Sequence, residues 1–443
     1  MKKWIAIFLA AILLLGGCAQ KPTAEYCWEA GFGCADLQLP ANSDEPLYIA
    51  GYRMGWEITG VRDLQQARAM WISDGNTSAV LIVVDCVGLG SGTVAEIRNR
   101  LSEFCRNTGC DSVHVISTHT HAGVDTLGLW GPMGMDGKNE DFMENLIAGA
   151  VSAAESAYAD RSRGDFYWSV TKTEGLQEDS RDPQVYDSNL YQLRFVPEDS
   201  AHNAIRLISF AAHAEALRSE NTLVSRDYPG VVCDTVSAET GDDVVYVPGA
   251  IGGLILTPRF KENVEENLLQ TGQWISNRVL AAKEGTKLTP KLSLSRVEFS
   301  TELDNTLFQY YKFLGILNNE VTRNLFGGYR LHTELNVVHL GDVALALVPG
   351  EIFPELVSGT KKDGDPEGLK AIAARYGVEK LMVIGLANDE IGYIVPPSDF
   401  VLDGELPYVQ EAEGDHYEET NSVGPNAAID IADAFEKALK GLR

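Results

Sequence analysis

The stretch "DSVHVISTHTHAG", Asp111 to Gly123, closes an apolar run with two histidines two residues apart. Side chains two apart on an extended chain point to the same side, so His119 and His121 can face one cavity. Three more clusters of good metal ligands follow other apolar runs: His213 in "FAAHAEAL", Glu351 in "LVPGEIFPE", and Asn388, Asp389, Glu390 and Tyr393 in "LANDEIGYIV". Imidazole and carboxylate both suit zinc, and three protein ligands plus a water is the usual catalytic arrangement. Taken singly, each cluster also has a plainer reading. A His-x-His pair serves as a hydrogen-bonded structural pair, and His213 as a satisfied core residue. Glu351 serves equally as a carboxylate at a helix N-terminus, worth a few tenths to ~1 kcal/mol through the dipole. Tyr393 reads as an aromatic of core or rim, and His114, inside the apolar run, as structural.

These residues need rigid elements to hold them. "SAVLIVVDCVGLG", "SGTVAEIRNRLSEFCRNTG" and "DSVHVIST" read as strand, helix, strand, a unit that favours parallel pairing with a right-handed crossover. "NAIRLISFAAH", "DDVVYVPGAIGG", "TELNVVHLGDVALALVPGE" and "KLMVIGLANDEIGYIV" read as further strands, and the Gly-Asp in the third predicts a hairpin. Helical patterns lie at "EDFMENLIAGAVSAAESAYAD", "KENVEENLLQTGQWISNRVLAAKEG" and "AAIDIADAFEKALKGL". The predicted class is mixed α/β: one large catalytic domain with central mixed sheets flanked by helices. In such sheets functional residues collect where strands end, because the loops vary while the strands hold them.

The first residues, "MKKWIAIFLAAILLLGGC", give two lysines, about a dozen apolar residues and a small-residue site ahead of Cys18. This resembles a bacterial lipoprotein signal, because the apolar run is shorter than the ~20 residues a spanning helix needs. The reading predicts a signal over 1–17, lipidation of Cys18, a tether and N-terminal segment over 18–45, and a catalytic domain over 46–443. It implies a chain anchored to the cell membrane and facing outside the cytoplasm. The formal net charge of −27 disfavours nucleic acid and leaves no basic stripe to bind it. The oligomeric state is left open. In an exported chain disulfides persist, and Cys27 with Cys34, and Cys105 with Cys110, are the local candidates. Cys86 and Cys233 lie in apolar stretches and read as buried free thiols.

Taken in order, "STHTHAG", "HAEALRSENTLVSRDYPG", "LALVPGEIF" and "GLANDEIGYIVPPSDF" resemble successive blocks of the neutral, non-lysosomal ceramidases. These are zinc-dependent amidases of N-acylsphingosine. "GWEITG", "QQARAMWISD" and "YEETNSVGP" resemble further blocks of the family. The resemblance runs from about residue 48 to the C-terminus and is specific as a colinear set. It implies Zn²⁺ held by His119, His213, Glu351 and Tyr393, with His121 beside the metal, touching the substrate or the attacking water. It also implies active-site roles for Arg181, in "EDSRDPQVY", and for Tyr417. Without the resemblance, Arg181 reads as a salt bridge and Tyr417 as packing. Zinc lowers the pKa of a bound water from 15.7 towards ~7, so the implied reaction is attack of that water on an amide carbonyl, with Tyr417 near the oxyanion. The implied partner is a small-molecule or lipid amide.

Two departures accompany the resemblance. The family's Gly-Asn/Asp-x-Ser-Pro block is replaced by "GAIGGLILTP", which has no serine, and Thr257 is the nearest substitute. Ceramide-acting members also continue into an immunoglobulin-like C-terminal domain that is expected to be lacking here. The substrate is therefore left open among ceramide, a related lipid amide, another acyl or ester bond, and a ligand bound without catalysis.

Overall fold

The computed structural model describes residues 26–41, 45–283, 285–324 and 327–442, and the expected leader and Cys18 lie outside them. Two sheets carry the architecture. The larger runs, from one edge, Asp243–Pro248, Ile205–Phe210, Asn189–Pro197, Ser162–Lys172, Trp28–Asp36, Gln66–Ser73, Ser78–Val84 and Ser112–Ser117, with Thr286–Lys287 added beside Ser162–Lys172. Both outer pairs are parallel and the interior pairs antiparallel. The smaller runs Leu292–Glu302, Tyr329–Leu340, Val343–Leu347 and Lys380–Ile384, with Glu320–Arg323 beside Tyr329–Leu340.

Side-chain alternation explains how the sheets stack. Leu81 and Val83 share a buried cluster with Leu345, Met382 and Ile384, so the inner faces of the two sheets pack on each other. Val80, Ile82 and Val84 turn the other way, towards the helix Glu140–Ala159. The helices Asp227–Thr240 and Val264–Leu280 cover the rest of that outer face. Ala344 and Ala346 turn outward beneath Leu369–Arg375 and Ala427–Gly441. The order of layers is helix, sheet, sheet, helix, the mixed α/β class expected of the sequence. The expected crossover and hairpin are both present: Ser78–Val84 is parallel to Ser112–Ser117, and Leu340 pairs with Val343 across the Gly-Asp turn.

Three local expectations change. Trp28–Asp36, inside the tether and N-terminal segment expected over 18–45, is a central strand, buried because Trp28 and Ala30 face the inter-sheet core. Its other face is bare at Gly31 and Gly33, where a Cβ would meet the carbonyls of Ala157 and Ala153 at 2.2 and 2.1 Å, so Glu140–Ala159 lies close against it. That same strand forbids a Cys27–Cys34 disulfide. Seven residues of extended chain span roughly 23 Å, against the ~7 Å limit between bridged Cα atoms, and both thiols are free. Cys105 and Cys110 are free thiols too, with Cys110 Sγ donating to the carbonyl of Ser112 at 3.3 Å, while Cys86 and Cys233 are buried thiols as expected. Finally, "DYPGVVCDTVSAET" forms a helix that the sequence reading did not anticipate, with Pro229 in the first turn, where its missing N–H costs nothing.

Candidate active site

Each of the four ligand clusters lies just past the end of a strand, two from each sheet. His119 and His121 follow Ser112–Ser117, and His213 follows Ile205–Phe210. Glu351 follows Val343–Leu347, and Tyr393 follows Lys380–Ile384. The sheets are joined here, because Ile116 bridges Ala387 and the amide of Ser117 donates to the carbonyl of Leu386 at 3.1 Å.

Two short parallel contacts then set the side chains. Thr120 bridges Ala214, and the amide of His121 donates to the carbonyl of Ala214 at 3.1 Å, which sets the residues flanking Thr120 beside those flanking Ala214. Glu351 is the register partner of Tyr393 in a second parallel pair, so carboxylate and phenol stand side by side. His119 has φ 63°, a left-handed conformation uncommon for a non-glycine residue, so the strand-end turn and not a straight strand aims its ring. Such strain persists where the surroundings over-determine it and clusters at functional sites.

The donors converge. His213 Nε2 is 2.9 Å from Glu351 Oε2 and 3.1 Å from the Tyr393 hydroxyl. His119 Nε2 is 3.3 Å from the same carboxylate oxygen and 3.1 Å from His121 Nε2. The three imidazoles form a cluster whose ligand atoms lie within 4.8 Å of one another. Their tautomers follow from what lies behind them. His119 Nδ1 faces the carbonyl of Val87 at 2.6 Å and His213 Nδ1 that of Ile255 at 3.0 Å, and a carbonyl can only accept. Each Nδ1 therefore carries the proton, and each Nε2 presents a lone pair inward.

Lone pairs gathered this closely around a carboxylate repel one another unless a cation lies among them. The donor separations match the ~3.3 Å edge of a tetrahedron built on zinc–nitrogen distances of ~2.0–2.1 Å. The three imidazoles, gathered beside the Glu351 carboxylate, could hold a metal ion. The electrostatics agree. Burial alone would raise the Glu351 carboxyl, yet His119 and His213 beside it hold it well below the usual range. Burial opposes charge on His213 while the adjacent Glu351 carboxylate favours it, and the balance lifts its pKa, so that without a cation a proton would be drawn to the place between them. Burial pushes His121 down to about 3 against the opposing charge of Glu215, with His119 and His213 adding to the lowering. Burial and Glu351 push the Tyr393 phenol well up, a cost that a bound cation reverses.

His119, His121, Glu351 and Tyr393 form the polar end of a cavity whose walls include Leu129, Trp130, Phe308, Leu331, Ile391 and Val423. Apolar walls around a few convergent polar groups are the character of a small-ligand pocket. Tyr417 lines it as well, its ring edge-on to Tyr393 at 6.1 Å and 39% exposed.

Other expected residues sit elsewhere. Arg181 does not line the cavity. Its guanidinium is held by Glu418 at 3.0 Å, Glu419 at 3.3 Å and Asp399 at 3.4 Å, and meets His416 at 3.2 Å. It therefore braces the short helix Tyr417–Thr420, whose first residue lines the cavity. Thr257 is buried but does not line the cavity, and its carbonyl accepts from Arg218 at 3.0 Å. Its stretch serves the site through the Ile255 carbonyl behind His213 and through Gly252, where a Cβ would lie 2.6 Å from the Glu351 carbonyl. Of the cluster at 388–393, Tyr393 meets the donors and Glu390 lines the cavity beside them. Asn388 pairs with the backbone of Val115, Asp389 accepts from the Ser91 amide and Asn319, and Glu390 turns back onto the Gly392 amide. His114 is buried and structural, contacting Ser112 and Asn388.

Glu215 and Tyr52 escaped the sequence reading. Glu215 stands 3.3 Å from His121 Nδ1 and accepts from the Tyr52 hydroxyl at 2.6 Å. The signal was present in "HAEAL", whose His-x-Glu spacing matches that of His-x-His.

No protein-family model matches the chain, and no curated protein matches it in sequence. The fold is the mixed α/β fold of neutral ceramidases. A neutral ceramidase from Pseudomonas aeruginosa superposes with a TM-score of 0.74 at 15% identity, over 94% of this chain and 74% of that one. A ceramidase complexed with C2 superposes with a TM-score of 0.71 at 14% identity, over 94% and 75%.

Proposed function

We propose that this chain is a zinc-dependent hydrolase that cleaves the N-acyl bond of ceramide or a related lipid-like amide. The observation that carries the reading is the convergence of His119, His213, Glu351 and Tyr393, of which His119, Glu351 and Tyr393 line an apolar-walled cavity. When bound there, Zn²⁺ supplies Lewis acidity to polarise an acyl carbonyl and acidify a water. The chain's own residues do the remaining work. The apolar walls take the acyl chain and exclude water, which strengthens every charge interaction at the donor end. His121, neutral and turned inward by Nε2, accepts the proton that the attacking water loses and returns it to the leaving amine. Tyr417, at the cavity wall, donates to the oxygen on which charge develops, where one donor is typically worth about 2.7–4 kcal/mol of barrier. Arg181 orients Tyr417 without touching substrate.

Metal analysis of the purified protein tests the centre: about one zinc per chain is expected, falling sharply in His119→Ala and His213→Ala. Metal content unchanged by both substitutions would sink the zinc reading. An ester or other acyl linkage is the second reading, supported by the absence of a serine from "GAIGGLILTP", and a lipoprotein that only captures its ligand is the third. We also propose that lipidation of Cys18 anchors the chain outside the cytoplasm, supported by the leader sequence alone. Cys18→Ser should move the protein from the membrane fraction to the soluble one, and a protein that stays in the membrane fraction would count against the anchor. Among the described residues, no helix is long and apolar enough to cross a membrane.

A further inference from the structure

Each of the three imidazoles has an acceptor behind it, but they are not alike. His119 and His213 are backed by backbone carbonyls, whereas His121 is backed by the carboxylate of Glu215. We propose that Glu215, braced by Tyr52, is a positioning residue that fixes His121 with its proton on Nδ1 and its Nε2 lone pair facing the donor cluster. The inference rests on the hydrolase reading only for its consequence in catalysis; the tautomer itself stands on geometry.

The parallel contact of Thr120 with Ala214 sets the His121 and Glu215 segments side by side. Glu215 is 8% exposed, and among the described residues its only ion-pairing neighbour is His121. The Tyr52 hydroxyl donates to its second oxygen at 2.6 Å, which leaves the first free for the imidazole. His121 Nδ1 is buried and meets no other partner; at 3.3 Å it approaches the carboxylate without yet forming an aligned hydrogen bond. Catalytic hydrogen bonds are commonly loose before substrate binds and tighten in the complex. The ring cannot drift away, because Tyr52 packs edge-on to it at 5.2 Å and Gly51 leaves no space behind it, a Cβ there falling 2.5 Å from the ring. A carboxylate behind an imidazole makes the far nitrogen a better base or ligand than a carbonyl does. His121 is thereby distinguished from its two neighbours as the imidazole whose outer nitrogen faces a carboxylate and whose tautomer that carboxylate can set.

The test uses the full chain with ¹⁵N-labelled histidine, comparing wild type with Glu215→Ala, Glu215→Gln and Tyr52→Phe. Ring-nitrogen shifts should show His121 with its proton on Nδ1 in wild type and moving towards the Nε2-protonated form in Glu215→Ala, with the His119 and His213 tautomers unchanged. In Glu215→Ala and Glu215→Gln, kcat should fall about tenfold or more while KM stays within about twofold, and Glu215→Asp should recover part of the loss. Tyr52→Phe should fall between these and wild type. An unchanged His121 tautomer in Glu215→Ala would overturn the proposal. If that variant fails to fold, a kcat in Glu215→Gln equal to that of wild type would overturn it instead. A wild-type protein that turns over no acyl substrate would sink the hydrolase reading and leave the tautomer to decide the role of Glu215.

Discussion

Glu351 and His213 carry most of the metal reading, because both are buried and each faces another donor within 2.9–3.1 Å. Glu351→Gln keeps the shape and removes the charge that offsets the cation, so hydrolysis should drop below detection with the fold retained. Zinc content and turnover together check this, and turnover near the wild-type rate would count against the assignment. Asp389 offers a prediction about pH. Burial pushes its carboxyl up to about 7, whereas in the unfolded chain it titrates near ~3.9. The native state therefore holds a proton that the unfolded state has released between roughly pH 4 and pH 7, and stability falls as pH rises through that window. The slope has an upper bound of ~1.4 kcal/mol per pH unit. Denaturation midpoints of Asp389→Asn should decline less steeply than those of wild type across that range; parallel profiles would refute the assignment. At this scale the sequence showed the ligand types clearly, whereas Glu215 was hidden because its partner lies 94 residues earlier and only the Thr120–Ala214 contact joins them.

Short elements decide where the polar groups of the site point. The helix Tyr417–Thr420 is only four residues long and cannot hold itself, and Arg181 holds it through two buried carboxylates, Glu418 and Glu419. Removing one partner of a buried ion pair typically costs about 3–5 kcal/mol, so Arg181→Ala should lower the unfolding midpoint and also raise KM as Tyr417 loosens. A midpoint matching wild type would show that the cluster does not brace the helix. Gly51 combines φ +111° with contact against the His121 ring. Gly51→Ala should therefore reduce turnover while zinc binding at His119 and His213 persists, and unimpaired turnover would contradict the cradle. The long helices and the parallel crossover were legible because their apolar period is sustained over many residues. The helix Asp227–Thr240 was not, because Pro229 and Gly230 break its pattern and tertiary packing overrides propensity. The partners of Arg181 were not legible for a related reason: a sequence gives the charge but not the Glu418 and Glu419 that meet it.

The whole molecule brings four strand ends together by stacking two sheets, so the precision of the centre depends on the core between them. Leu345 is fully buried in that core, and Leu345→Ala should cost about 2–5 kcal/mol. Phe313, 84% exposed, should change stability by no more than about 0.5 kcal/mol when replaced by Ser. Equal thermal shifts in the two variants would refute this placing of the core. The mixed class was readable from the strand and helix patterns, but the stacking was not. Strands such as Val343–Leu347 are buried on both faces and show no alternation to say which face meets the other sheet. The central claim is that this fold holds one zinc ion against an apolar cavity and hydrolyses an N-acyl bond there. The most direct measurement incubates protein loaded with one zinc per chain with ceramide and with N-acyl amino acids, reading products by mass spectrometry. The expected result is equimolar free fatty acid and amine from at least one of them, abolished by chelation and by His213→Ala. Intact substrates with zinc fully bound would contradict it.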